Sequence, residues 1–164
     1  MSQTMSTPRE LLLHELGDIY YAENVLVKAL PKMADEAKDD ELRSGFEQHA
    51  EETQGQIENL RKAFEALGEE VSGERCPAID GIKAEHDEFL KEHETAPEIL
   101  DMFLTGSGGR TEHYEIAAYT SLITMAESLG EDKVVDLLQE NLKQEQETLK
   151  KLETTGRRLA SNGS

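Results

Sequence analysis

His49 and Glu52 stand three residues apart, and so do Glu112 and Glu115, a spacing that puts both members of each pair on one face of a helix. Glu23 lies seven residues from both Leu16 and Leu30, and Glu145 lies seven from both Leu138 and Leu152. Each of these acids therefore falls inside an apolar stripe that must face a core. Four segments of the chain direct at least one carboxylate inward at similar heights. A buried carboxylate is unfavourable unless it is protonated, paired or bound to a cation. No Lys or Arg falls in the stripes near these positions, so side-chain cations do not offer the compensation. Two divalent metal ions would. Carboxylates with an imidazole are hard-to-borderline donors, suited to iron or manganese more than to a thiolate-seeking metal.

The plainer alternative is an error of helical phase that leaves the glutamates on solvated faces and His49 as a packed or capping side chain. The coincidence on four segments favours the inward reading. Thr53 and Gln56 continue the stripe of His49 and are expected to donate hydrogen bonds to the ligands. Tyr20, Tyr21, Tyr114 and Tyr119 are expected as core or interface aromatics, with a redox or ligand-supporting role second. Gly106-Ser107-Gly108-Gly109 lacks the strand and the Gly-Lys-Ser/Thr ending of a phosphate loop. Cys76, the sole cysteine, excludes an intrachain disulfide and a Cys-ligated zinc site.

The elements that must carry these residues are helices. Thr7-Pro8-Arg9-Glu10 predicts a capped start, and the stripe Leu12, Leu16, Ile19, Glu23, Leu26, Leu30, Met33 extends one helix to about Ala37, with a bend expected at Pro31. Asp39-Asp40 opens a second helix, which Gly68 closes. Glu69 to Ala78 reads as loop, followed by a short amphipathic helix carrying Ile79, Ile82, Phe89 and Leu90. Thr95-Ala96-Pro97-Glu98 repeats the capping-box pattern ahead of a third long helix, which Gly130 ends. The glycine run splits that helix, bulges it, or marks a close-packing point. A fourth long helix begins near Asp132 with the stripe Val135, Leu138, Leu142, Glu145, Leu149, Leu152, Leu159. Two tight helix pairs joined by one long connection define a ferritin-like four-helix bundle, all-α, with an extra short helix in the crossover. Residues 7–160 form the single domain, and 1–6 and 161–164 are expected to be disordered.

With 164 residues the chain can bury one sizeable core. Its 35 acidic against 17 basic residues leave a formal charge of −18, which argues against nucleic acid or an anionic membrane as partner. No apolar run is long enough to span a membrane, and no secretory signal is visible, so a cytoplasmic location is expected.

The blocks Leu16-x-Asp18-x-Tyr20-x-Ala22-Glu23, His49-x-x-Glu52-Thr53, Glu112-His113-Tyr114-Glu115-Ile116-Ala117-x-Tyr119 and Leu142-x-x-Glu145 resemble those of the YciF/YciE-type ferritin-like stress proteins. The resemblance covers about residues 8–155, and the Glu-His-Tyr-Glu-Ile block is its most specific part. It implies a homodimer and a dinuclear centre, with iron the expected metal, whose ligands would be Glu23, His49, Glu52, Glu112, Glu115 and Glu145. The chain departs from the paired Glu-x-x-His pattern of better-known di-iron proteins. Here His49-x-x-Glu52 has the reversed order, and Thr148 stands three residues after Glu145. The expected activity is oxidation of Fe(II) by oxygen or peroxide during stress, a ferroxidase-type reaction. The competing expectations are a non-enzymatic helical interaction module and an iron-storage shell; the latter is ranked lower because no fifth helix follows the fourth.

Overall fold

Thr7 directly precedes Pro8, and in the computed structural model, which describes residues 4–162, this pair opens the first helix with a complete capping box. The Thr7 hydroxyl accepts from the Glu10 amide at 3.2 Å, and the Glu10 carboxylate accepts from the Thr7 amide at 2.8 Å. Helix α1 (Pro8–Glu36) runs unbroken through Pro31. Helix α2 (Asp40–Ala66) starts at the Asp39 cap, whose carboxylate accepts from Leu42 N at 3.0 Å. A short helix α3 (Pro77–Glu92) lies in the crossover, and α4 (Pro97–Ser128) and α5 (Asp132–Asn162) complete the molecule. Gly68 and Gly130 end α2 and α4 with φ of 71°, a left-handed turn that glycine adopts without a Cβ clash.

Helices of this length span roughly 40 Å at about 1.5 Å per residue. α1 packs along α2 and α4 along α5, and the bundle closes through α2 against α5 and α1 against α4. The short turns force the antiparallel pairs and the long crossover sets the second pair beside the first. The fold is a ferritin-like bundle, and among the described residues it contains no strand. The crossover is tied to α1 and α4 by polar contacts. Glu74 N donates to Gly17 O at 3.0 Å, Tyr21 donates to Asp80 at 2.9 Å, and Cys76 Sγ lies 2.9 Å from the hydroxyl of Tyr114 on α4, which itself donates to Asp18 of α1 at 2.7 Å. Asp101 of α4 is buried and accepts from the amides of Lys38 and Asp39, at 2.8 and 2.9 Å, so it braces the α1–α2 turn.

Several local expectations are corrected. The capping box at Thr95 does not form: Pro97 takes the first helical position, the intervening Ala96 becomes the cap, and no side chain bonds there. The glycine run neither splits nor bulges α4, which is continuous through it. α3 begins at Pro77, inside the stretch read as loop. On α5 the buried stripe is Val134, Leu138, Asn141, Glu145, Thr148, Leu152 and Thr155. Val135, Leu142 and Leu159 are only half-buried flanks, because the true stripe includes polar residues that find partners or a pocket inside. α5 also continues through Ser161 and Asn162, expected as tail, while the expectations for residues 1–3 and 163–164 lie outside the described residues.

Candidate metal centre

The stripes of α1, α2, α4 and α5 meet where their apolar residues give way to acids. Glu23, Glu112, Glu115, Glu145 and His49 are all essentially inaccessible to water. One donor atom from each of His49, Glu112, Glu115 and Glu145 can be chosen so that all four lie within 4.8 Å of one another. His49 Nε2 stands 3.1 Å from Glu112 Oε1 and 3.6 Å from Glu145 Oε2. Glu23 faces Glu115 electrostatically, and one of its oxygens accepts a hydrogen bond from the Tyr119 hydroxyl.

Glu52 is placed differently from the others. Its side chain keeps 25% exposure, its Oε2 is 3.8 Å from His49 Nδ1, and its other oxygen accepts from Gln48 at 2.7 Å. Thr53 takes the inward position instead, and its hydroxyl donates to the His49 carbonyl at 2.8 Å rather than to a carboxylate. Gln56 is fully buried, and neither end of its amide has a hydrogen-bond partner.

Neither His49 nitrogen makes an aligned hydrogen bond, and Glu23 Oε2, Glu112 Oε2 and both oxygens of Glu115 and of Glu145 are buried without one. Burial raises Glu23 from its ordinary 4.5 to about 7, against the Tyr119 bond that favours its ionised form. Burial, then the charges of Glu145, Glu23 and Glu112, push Glu115 well above the carboxylate range. Glu145 is driven up by burial and by Glu23 and Glu112. For His49 burial acts downward, yet Glu112, Glu52 and Glu145 outweigh it and hold the imidazole well above its usual value. The cluster thus retains protons that a divalent cation would displace. Orphaned oxygens converging with an imidazole are a donor set that fits a hard or borderline metal.

Asn141 and the role of Tyr119 were not legible as a pair. The Asn141 amide donates to Tyr119 Oη at 3.1 Å and to Gln56 O at 3.2 Å, and its oxygen accepts from Asn59 at 2.9 Å. Tyr119 in turn donates to Glu23. This buried chain orients a carboxylate from behind. The signal was available, since Asn141 lies three residues after Leu138 and four before Glu145. The apolar Leu142 drew the stripe one residue off.

Residues 7–162 match the family described as "Domain of unknown function (DUF892)". Protein YciF of Escherichia coli K12 is 37% identical over 145 residues, 88% of this chain and 87% of that protein. The chain belongs to this YciF-type family. The crystal structure of the E. coli stress protein YciF superposes with a TM-score of 0.91 at 35% identity, covering 96% of this chain and 99% of YciF. YcfI of Rhodopseudomonas palustris gives 0.91 at 45% identity over 94% and 98%. A two-domain protein of Anabaena variabilis with DJ-1-like and ferritin-like domains gives 0.63 at 16% identity, over 97% of this chain and 39% of that one. This last likeness supports the ferritin-like fold alone.

Proposed function

We propose that this YciF-type chain holds two divalent ions, iron foremost and manganese as the alternative, and serves in oxidative stress protection by oxidising Fe(II) with oxygen or peroxide. The observation that carries the reading is the set of buried, unpartnered donors of His49, Glu112, Glu115 and Glu145 within 4.8 Å. Glu23, facing Glu115, and Glu52, beside His49, would extend the set to the number of donors that two ions need. Two bound iron ions would supply paired one-electron steps, and so a two-electron reduction of the oxidant.

The chain's own residues set the conditions for that chemistry. Glu23, Glu115 and Glu145 release their retained protons as cations enter. Tyr119, held by Asn141, keeps Glu23 oriented and stays protonated, since burial and the nearby Glu23 charge raise its phenol well above the ordinary value. The surrounding leucines exclude water. The stress role is carried by similarity to the E. coli stress protein YciF. We extend the proposal to a cytoplasmic homodimer, as the resemblance to the YciF/YciE-type proteins implies. No helix among the described residues is long and apolar enough to cross a membrane.

Aerobic Fe(II) titration tests the reading. Oxidation faster than in a protein-free blank, saturating near two ions per chain, is expected. A second reading has one observation in its favour. The His49–Glu112 ion pair and the Tyr119–Glu23 bond partly neutralise the cluster without any metal, as a purely structural bundle would require. A chain whose mass and melting temperature are unchanged by chelator would support that reading instead.

A further inference from the structure

A cavity of about 240 Å³ opens between α2 and α5 and ends at His49 and Glu112. Its walls are mainly apolar: Leu26, Leu30, Met33, Leu42, Phe46 and Leu152. Two glycines line it. Gly45 lies four residues before His49 and Gly108 four before Glu112, so each lies one helical turn ahead of a donor. A Cβ at Gly108 would stand 3.0 Å from Leu152 Cδ1, which would have to give way, and in ordinary contact with Phe46 Cε1 at 3.5 Å, so this glycine lets Leu152 pack closely on α4 at the cavity wall. A Cβ at Gly45 would meet nothing within 4 Å, which makes that position an open rim. A glycine in a helix interior is less stable than alanine by roughly 0.5–1 kcal/mol. Gly108 is accounted for by the close approach of Leu152, and Gly45 leaves the rim of the cavity without a side chain.

The inner end presents unpartnered polar atoms, Glu112 Oε2 and the His49 nitrogens, to this apolar space. An apolar cavity of about 150 Å³ already accommodates benzene. We propose that the cavity binds a small uncharged apolar organic molecule, the size of one substituted aromatic ring or a short branched hydrocarbon, with one end against Glu112 and His49. Lys151 is opposed by Glu52, and Glu41 at the mouth is paired with Arg158, so the lining offers no net positive charge to an anion, and the leucines offer nothing to a hydrated cation. Binding itself stands on the cavity. Only the statement that the ligand's inner end adjoins a metal rests on the proposed function.

Toluene is the probe, with benzoate and benzylammonium as charged counterparts, and the reporter is the ¹³C-labelled methyl of Met33, which lines the cavity. In metal-free protein toluene should shift Met33 saturably, and the charged compounds should bind at least tenfold more weakly. Gly45→Phe should weaken toluene at least tenfold while leaving the Mn(II) affinity of the chain at its wild-type value and the melting temperature no lower than wild type; Gly45→Leu serves if the phenylalanine variant folds poorly. A Met33 signal unmoved by toluene overturns the proposal, and so does an equal shift in the Gly45 variants. Tighter binding of benzylammonium would make the cavity a cation route and overturn it likewise. A Met33 signal that ignores toluene but moves with protein concentration would assign the mouth to a second copy of the chain, with the same consequence. Absence of Mn(II) binding to wild-type protein would remove the metal reading and leave the toluene result standing.

Discussion

Two nearly buried histidines, each beside glutamate, have opposite surroundings. His86 on α3 is fully partnered: Nε2 is 2.9 Å from Glu36 of α1 and Nδ1 is 3.2 Å from Ser107 of α4. Ser107 lies inside the continuous α4, whose amides are engaged in the helix, so no oxyanion-binding donors stand beside this Glu–His–Ser chain. It pins the crossover helix to the bundle. His49 faces two buried carboxylates at similar distances, yet neither of its nitrogens is aligned with an acceptor. The contrast shows how a polar group that holds a fold differs from one that awaits a ligand. The first has its partners, while the second is packed among atoms that share its need.

The largest expected effect is a reversal of sign between the two regions. Glu115→Leu removes a buried carboxylate without partners, so the metal-free protein should gain roughly 1–3 kcal/mol, while Mn(II) affinity drops by more than about 100-fold. His86→Leu should lose roughly 1–3 kcal/mol, since Ser107 is left without its ring partner, and keep wild-type Mn(II) affinity. Thermal melts with and without Mn(II), combined with calorimetric titration, read both. If Glu115→Leu is destabilised as much as His86→Leu, the two regions are alike and the comparison fails.

The same contrast governs pH. Glu23 binds a proton up to about 7 in the folded chain and to about 4.5 when unfolded, and Glu115 and Glu145 move in the same direction. Over that window the folded state holds more protons than the unfolded one, so stability of the metal-free protein falls as pH rises from about 4.5 to 7. His49 adds to the trend. Its raised folded value stabilises fully below 6.5, and that contribution is lost as pH rises through the folded value. Melts of chelator-treated protein should therefore show a higher transition at pH 5 than at pH 7.5. Mn(II) should reverse the order, because binding must expel these protons and weakens as they return. A flat profile in metal-free protein would mean that the acids reach water.

The bundle was legible because its signals are local and repeated. Helix-forming composition, Gly68 and Gly130 as stops, and the length of the crossover each follow from short-range chemistry. Cap detail was less so: Thr7 sits directly before its proline and caps, whereas Thr95 is one residue too early. For the centre, the spacing of acids within apolar stripes placed Glu23, His49, Glu112, Glu115 and Glu145 inside. Periodicity could not choose between Glu52 and Thr53, adjacent residues about 100° apart on the helix, and tertiary packing sent Thr53 inward. It also missed Asn141, since a polar residue satisfied by Tyr119 and Asn59 has no apolar signature. His86 has no apolar signature either, its partners being 50 and 21 residues away.

Smaller effects sharpen the distinction between support and staple. Asn141→Ala should weaken Mn(II) binding severalfold, and no more than loss of the Tyr119 hydroxyl does, since it acts through Tyr119 and Glu23 and touches neither His49 nor the clustered carboxylates in any hydrogen bond. The least perturbing pair removes one hydroxyl from each region. Ser107→Ala takes away a single partner of His86, for which about 0.5–1.5 kcal/mol of stability should be lost with Mn(II) affinity unchanged. Tyr119→Phe removes the donor to Glu23, so this carboxylate loses the strongest interaction that favoured its ionised form, and its proton becomes harder to displace. The expected result is a severalfold loss of Mn(II) affinity that is greater at pH 6 than at pH 8. Ser107→Ala should show no such pH-dependent difference from wild type. If both variants shift affinity equally at both pH values, the hydroxyls act through general packing and Tyr119 has no special hold on Glu23.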